Sequence, residues 1–150
     1  MSTVADRSAR ASNATTGVDA ALLIGRLCMA YLFVMGGWEK LMDLAGFAAY
    51  LSKLGIPAQY SYALAVVGAC VEFFGGVCIV LGLVTSWVAL LLAVHTLIAA
   101  LLAHRYWTVA DHAQTLNQMI HFNKNLAIIG GFLILYAAGP GRWSLDRRGS

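Results

Sequence analysis

Four runs of about twenty apolar residues set the terms for this chain: roughly 19–42, 59–81, 84–104 and 119–138. Each is long enough for one helix to cross the hydrocarbon core of a bilayer. In lipid every backbone N–H and C=O must be satisfied internally, so only helices or closed barrels span it. The runs show no alternation of apolar and polar residues, which removes the barrel. Charged residues make up 11% of the sequence and hydrophobic residues 60%, where a soluble domain carries about 25% charged. The expectation is an all-α integral membrane four-helix bundle, antiparallel, up-down-up-down.

Gly82 and Leu83 leave only a tight joint between the second and third spans, so these must be antiparallel neighbours. Gly55-Ile56-Pro57 marks a turn in the 43–58 loop. The longer 105–118 loop is polar, with Trp107, Asp111, His112, Gln114, Asn117 and Gln118. Residues 1–18, rich in Ser, Thr, Ala and Asn, read as a disordered tail. Residues 19–142 read as the membrane domain and 143–150 as a basic tail. A cleaved signal peptide is not expected, because the first apolar run continues for a full span.

An even number of spans places both termini on one side, with Arg7, Arg10, Arg142, Arg147 and Arg148. The other side holds Lys40, Lys53, Arg105 and Lys124, offset by Glu39, Asp43 and Asp111. The basic excess assigns the termini to the cytoplasm and the loops to the outside. The scattered basic residues of a chain with net charge +3 form no nucleic-acid surface. Cys28, Cys70 and Cys78 lie in apolar runs with no CxxC and read as small packing residues. A thiol relay would need Cys28 to meet Cys70 or Cys78 across a helix interface.

Polar residues inside or at the ends of the spans carry the functional signal: Arg26, Glu39, Lys40, Glu72, His95, His104, His112, His121, Asn123, Lys124 and Asn125. A charge at membrane depth costs roughly 2.5–3.5 kcal/mol on insertion scales, so such groups are rare and usually paired. At about 1.5 Å per residue, Arg26 and Glu72 lie roughly 10 and 13 Å deep from the terminal side. That predicts an Arg26–Glu72 contact, either an ion pair pinning two helices or the border of a polar pocket. His121, Lys124 and Asn125 share one face by i, i+3, i+4 spacing. With Glu39, Lys40 and His104 they are expected at the outer mouth of the bundle, although Lys40 could equally snorkel. His95 sits mid-span, nine residues from His104 and so on the opposite helical face. It reads as a core histidine or a proton-exchanging group. No ligand spacing such as HxxxH or ExxH supports a metal site.

These residues, in this order, resemble the DoxX family of small four-helix membrane proteins. Arg26 is followed by Gly36-Gly37-Trp38-Glu39-Lys40 and Gly55-Ile56-Pro57. Val71-Glu72-Phe73-Phe74-Gly75-Gly76 and Leu81-Gly82-Leu83-Val84-Thr85 come next. His121-Phe122-Asn123-Lys124-Asn125-Leu126 and Gly130-Gly131 complete the pattern, which covers about residues 20–146. The resemblance implies a link to thiol, sulfur or oxidative-stress redox chemistry, since one relative is the membrane subunit of a thiosulfate:quinone oxidoreductase. No haem-binding CxxCH, flavin or Rossmann motif is present, so a bound quinone or a soluble or periplasmic redox partner would have to supply the redox centre.

Two readings follow from this. In the first, the chain is the quinone-binding membrane subunit of an oxidoreductase. Glu72, His95 and His121 would exchange protons, and Arg26, Glu39, Lys40, His104, Lys124 and Asn125 would contact the ligand. In the second it is a non-catalytic anchor or assembly factor, with structural polar groups. A carrier is disfavoured by the lack of internal repeats or broken spans. The bilayer is the expected partner, and the sequence leaves room for a homo-oligomer.

Overall fold

A computed structural model describes the backbone of residues 4–146 and the side chains of 15–146. Five α-helices account for it: α1 (Val4–Met42), α2 (Leu44–Lys53), α3 (Ala58–Leu81), α4 (Thr85–Ala103) and α5 (His112–Ala138). A 3-10 turn at Tyr106–Thr108 sits between α4 and α5. Helices α1, α3, α4 and α5 are each long and apolar enough to cross a membrane. They run antiparallel in sequence order, as expected. Around the bundle α1 packs on α3, α3 on α4 and α4 on α5.

The surface is that of a protein solvated by lipid. Trp87 is 72% exposed and Ile134 69%, while the buried positions include Ala30, Ala65, Ala69, Ala89, Ala93 and Ala100. Large apolar side chains gain nothing by leaving hydrocarbon for a protein interior, so small residues take the helix interfaces and let backbones approach. Gly37 shows how closely: a Cβ there would lie 2.7 Å from the Cα of Phe73. Gly76 performs the same role from α3, where a Cβ would come 2.9 Å from the Val34 nitrogen. One apolar cluster, which includes Phe33, Ile79, Leu92, Phe132 and Leu135, fills the bundle toward the terminal side.

Two elements extend what the sequence indicates. Residues 4–18, expected as a disordered tail, continue α1 as helix. That stretch holds four alanines and no proline, and its only glycine is Gly17, so nothing in it breaks a helix. Residues 1–3 lie outside the described range, as do 147–150 of the basic tail. The 43–58 segment, expected as a loop, contains α2. Asp43 caps it by accepting the Gly46 N–H at 2.8 Å. The Ser52 hydroxyl donates to that of the buried Ser61 at 2.8 Å, tying α2 to α3. Likewise Asp111 caps α5 through the Gln114 N–H at 2.8 Å, so α5 begins two turns before its apolar run.

The tight joint forms as expected and is then locked. Gly82 ends α3 at φ 64°, and the Leu83 N–H reaches the Cys78 carbonyl while that of Gly82 reaches Ile79, the Schellman pattern. Residues 139–146 fold back over this turn as a clamp. Leu145 and Asp146 donate backbone bonds to the Leu81 and Gly82 carbonyls at 3.2 and 2.9 Å. The Asp146 carboxylate accepts the N–H groups of Val84 and Thr85 at 2.6 and 2.8 Å, capping α4 from a remote part of the chain. Asp19 of α1 accepts the Arg142 N–H at 2.8 Å.

Arg26 belongs to this clamp. It is 1% exposed and donates to the Trp143 carbonyl at 2.6 Å. The expected Arg26–Glu72 contact does not form. Helical side chains lean toward their own N-terminus, so in antiparallel α1 and α3 Arg26 leans to the terminal side and Glu72 to the loop side. The two residues move apart instead of together.

Two outcomes follow. Gly37→Leu should destabilise the protein by about 2 kcal/mol or more, because its side chain meets backbone. Gly130→Ala, with open space around it, should leave the melting temperature in detergent unchanged or slightly higher. The second concerns Asp146. Burial pushes its carboxyl up, but the hydrogen bonds from Thr85 and Val84 and the charge of Arg26 outweigh that and hold it below its ordinary value. A lowered carboxyl stabilises the docked clamp above the unfolded value of about 3.9 and loses that contribution as pH falls through the folded value. A nitroxide at position 145 should therefore mobilise only below about pH 4, and should be mobile at every pH in Asp146→Ala.

Candidate functional site

Glu72, one turn before Gly76 in α3, is 9% exposed. Both of its oxygens are engaged across helix interfaces. Oε2 accepts from the Lys40 ammonium of α1, and Oε1 meets His95 Nε2 of α4 at 2.9 Å. Lys40 also lies over the Phe47 ring of α2, 5.3 Å from its centroid. The snorkelling alternative for Lys40 is thus set aside: the side chain turns inward to a carboxylate and an aromatic face. Gly36 lies directly beside the pair, where even a Cβ would be in van der Waals contact with Glu72 Oε2 at 3.5 Å. One triad of charge and imidazole joins α1, α3 and α4 on the loop side of mid-bundle.

The triad is a wall between two cavities. The first, about 450 Å³, lies among α2, α3 and α4. Apart from Lys40, Glu72, His95 and His104 its lining is largely apolar, with Phe47, Tyr50, Leu64 and Ile98 among the larger side chains. The second, about 410 Å³, lies among α1, α4 and α5 and is the more polar. On its terminal side α1 and α5 meet through Met29 against Gly131 and Phe33 against Phe132. Toward the loop side they part, and His121, Lys124 and Asn125 of α5 face the gap.

His104 borders both cavities, as does His95. Nine residues on one helix would set them on opposite faces. His104, however, is the C-cap of α4, with φ −121° and ψ 45°, and this non-helical backbone re-aims its ring. Nδ1 of His104 bonds the Gln118 side chain at 2.8 Å. Its ring stacks on that of His121 with centroids 5.0 Å apart and planes 14° from parallel.

The expected outer-mouth group therefore assembles around Lys40, His104, His121, Lys124 and Asn125, with His95 and Glu72 beneath. Glu39 does not join it. It is exposed and lines neither cavity, because adjacent helical residues point about 100° apart and Lys40 takes the inward direction. Arg26, expected to contact ligand, is held at the terminal side by the clamp. His112 and Asn123 are exposed and line neither cavity. The three cysteines are free thiols. Among the described residues no group of three or more His, Cys, Asp or Glu could hold a metal ion.

Residues not singled out from sequence are Phe47, Tyr50 and Leu51 of α2 and the Asp19–Trp143–Asp146 clamp; Gln118 stands out there only as a polar loop residue. Asp43 before an apolar stretch was the available signal for α2. Nothing local in the sequence marks the clamp, whose bonds join residues more than sixty positions apart.

Removing Glu72 leaves the Lys40 ammonium facing an apolar wall. Breaking a buried pair costs about 3–5 kcal/mol, and Lys40, with its side chain 31% exposed, places the expected cost lower. Glu72→Ala should lose about 2 kcal/mol of thermal stability in detergent. Adding Lys40→Met to it should recover most of that loss.

The comparisons with known proteins agree with this architecture. The DoxX family profile matches residues 21–105, which carry α1 from its second half through α4. The chain is 38% identical to the inner membrane protein YphA of Escherichia coli over 127 residues, 85% of this chain and 89% of that one. It is 37% identical to the inner membrane protein YqjF of the same organism over 129 residues, 86% and 92% of the two chains. A membrane protein of Mycobacterium tuberculosis, Rv3486, is 30% identical over 138 residues, 82% of this chain and 77% of that one. No solved structure matches. With spans, motifs and relatives in agreement, the chain belongs to the DoxX family of integral membrane proteins.

Proposed function

We propose that this protein binds a quinone in the cavity among α2, α3 and α4 and acts as the membrane subunit of an oxidoreductase system. The observation that carries the reading is an apolar cavity of about 450 Å³ with one polar wall, Lys40–Glu72–His95. Volumes of about 300–1,000 Å³ with few convergent polar groups are typical of small-molecule sites. A quinone has the matching shape, an apolar ring and tail with oxygens at one end. When bound it supplies reversible two-electron, two-proton chemistry, with electrons drawn from a partner protein. Lys40 and His95 would donate hydrogen bonds to a ring oxygen. Glu72 holds both donors in place and offers a proton route between His95 and the loop side. Phe47, Tyr50 and Leu64 would enclose the ring.

Because His121 lines the other cavity, this reading gives it no part in the proton exchange with the quinone. In keeping with the names of the E. coli relatives, we place the protein in a bacterial inner membrane. Its arginine-rich termini would face the cytoplasm and its cavities would open toward the periplasmic half.

A structural reading has its own observation: both Glu72 oxygens are already satisfied by protein groups, as a brace requires. Titration of a short-chain benzoquinone into the purified protein separates the two. Saturable binding, weakened about tenfold by His95→Ala and by Glu72→Gln, the loss expected for a hydrogen bond to a charged group, and unchanged in His121→Ala supports the site. Unchanged affinity in the first two variants leaves the triad as a brace.

A further inference from the structure

The second cavity has a charge surplus that nothing in the first explains. Its lining brings Lys40, Lys124, His104, His121 and Asn125 together with a single carboxylate, Glu72. That carboxylate is already committed, one oxygen to Lys40 and the other to His95. Among the described residues no carboxylate pairs with Lys124. Lys124 and His121 stand one turn apart on the same face of α5, and the His121 ring stacks on His104. A cation and two stacked imidazoles thus converge on one cavity, and surroundings of low dielectric strengthen their attraction for a negative group. Their shared unmet need is an acceptor carrying negative charge.

We propose that the cavity among α1, α4 and α5 is a binding site for an oxyanion, carried either by a small free ion or by the phosphate of a lipid headgroup. Lys124 supplies the charge, and the imidazoles of His104 and His121 and the Asn125 amide supply directional donors. Lys40, already bonded to Glu72, closes the inner end. Leu32, Phe33 and Ile128 line the apolar side, where an acyl chain would lie if the anion is a lipid. The two cavities share Lys40, Glu72, His95 and His104, so the test leaves the first one empty.

The test uses the full chain in a nonionic maltoside detergent, with no quinone. In one arm inorganic phosphate is titrated calorimetrically. In the other, delipidated protein is offered phosphatidylglycerol and, separately, zwitterionic phosphatidylcholine, and bound lipid is counted by native mass spectrometry. Saturable phosphate binding identifies a free ion. Retention of phosphatidylglycerol over phosphatidylcholine identifies a headgroup. In either case Lys124→Gln and His121→Asn should weaken binding about tenfold each, the loss expected for a hydrogen bond to a charged group. Lys53→Gln, which lines neither cavity, should bind as the parent does. Lys124 is exposed, so its variant should melt with the parent and the loss can be read as loss of the site. No saturable binding in either arm overturns the proposal, as does parental affinity in both the Lys124 and His121 variants.

Discussion

The bond from Lys40 to Glu72 to His95 is the interaction on which the rest of this structure depends. It joins α1, α3 and α4 at a depth where water is scarce, and it removes two charges that hydrocarbon would penalise. Its position divides the loop-side half of the bundle into an apolar chamber and a polar one. Each chamber exists because something keeps helices apart there. On one side α2 lines the wall beside α3; on the other α1 and α5 diverge above the Phe33–Phe132 contact. The terminal half works oppositely, with small residues, a filled apolar core and a clamp that ties the chain's end over the α3–α4 turn. Close packing is concentrated at one end and open volume at the other.

That division assigns different physics to the two arginine- and lysine-bearing levels. Arg26 is only 1% exposed, yet it faces carbonyl and carboxylate groups of the clamp and points away from both cavities. It is a structural cation. Lys40 and Lys124 border open space, and only Lys40 has its charge answered by a carboxylate. An ion pair that is complete braces; a cation that is incomplete invites a ligand. The same reasoning separates Glu39 from Lys40, neighbours in sequence with opposite fates.

Much of the fold was legible in the sequence. The four apolar runs fixed the number of spans, and the Gly82 joint fixed the pairing of α3 with α4. Helix α2 was missed because, at ten residues, it is too short to register as a span, and its apolar content reads as loop between two longer runs. The site was half legible. His121, Lys124 and Asn125 declared a common face through their spacing, and Glu72 and Lys40 stood out as charges in apolar surroundings. Their partners did not. Depth counting paired Glu72 with Arg26 because it treats side chains as points at their Cα, whereas antiparallel helices send long side chains in opposite directions. His95 and His104 were separated by an ideal-helix angle that the non-helical cap at His104 does not obey. Contacts such as Asp146 with Val84 join remote segments and carry no local signature.

The central claim is that Glu72 is the shared hinge of two ligand chambers and more than a brace. Isotope-edited infrared spectroscopy of the purified protein tests it most directly. The carboxylate stretch lost in Glu72→Gln is followed while a short-chain benzoquinone, then inorganic phosphate or phosphatidylglycerol, is added. The account predicts that the Glu72 band shifts with each ligand, since Lys40 and His95 must share their hydrogen bonds with the newcomer. A band that stays fixed while ligand binds saturably would contradict it and return Glu72 to a purely structural role.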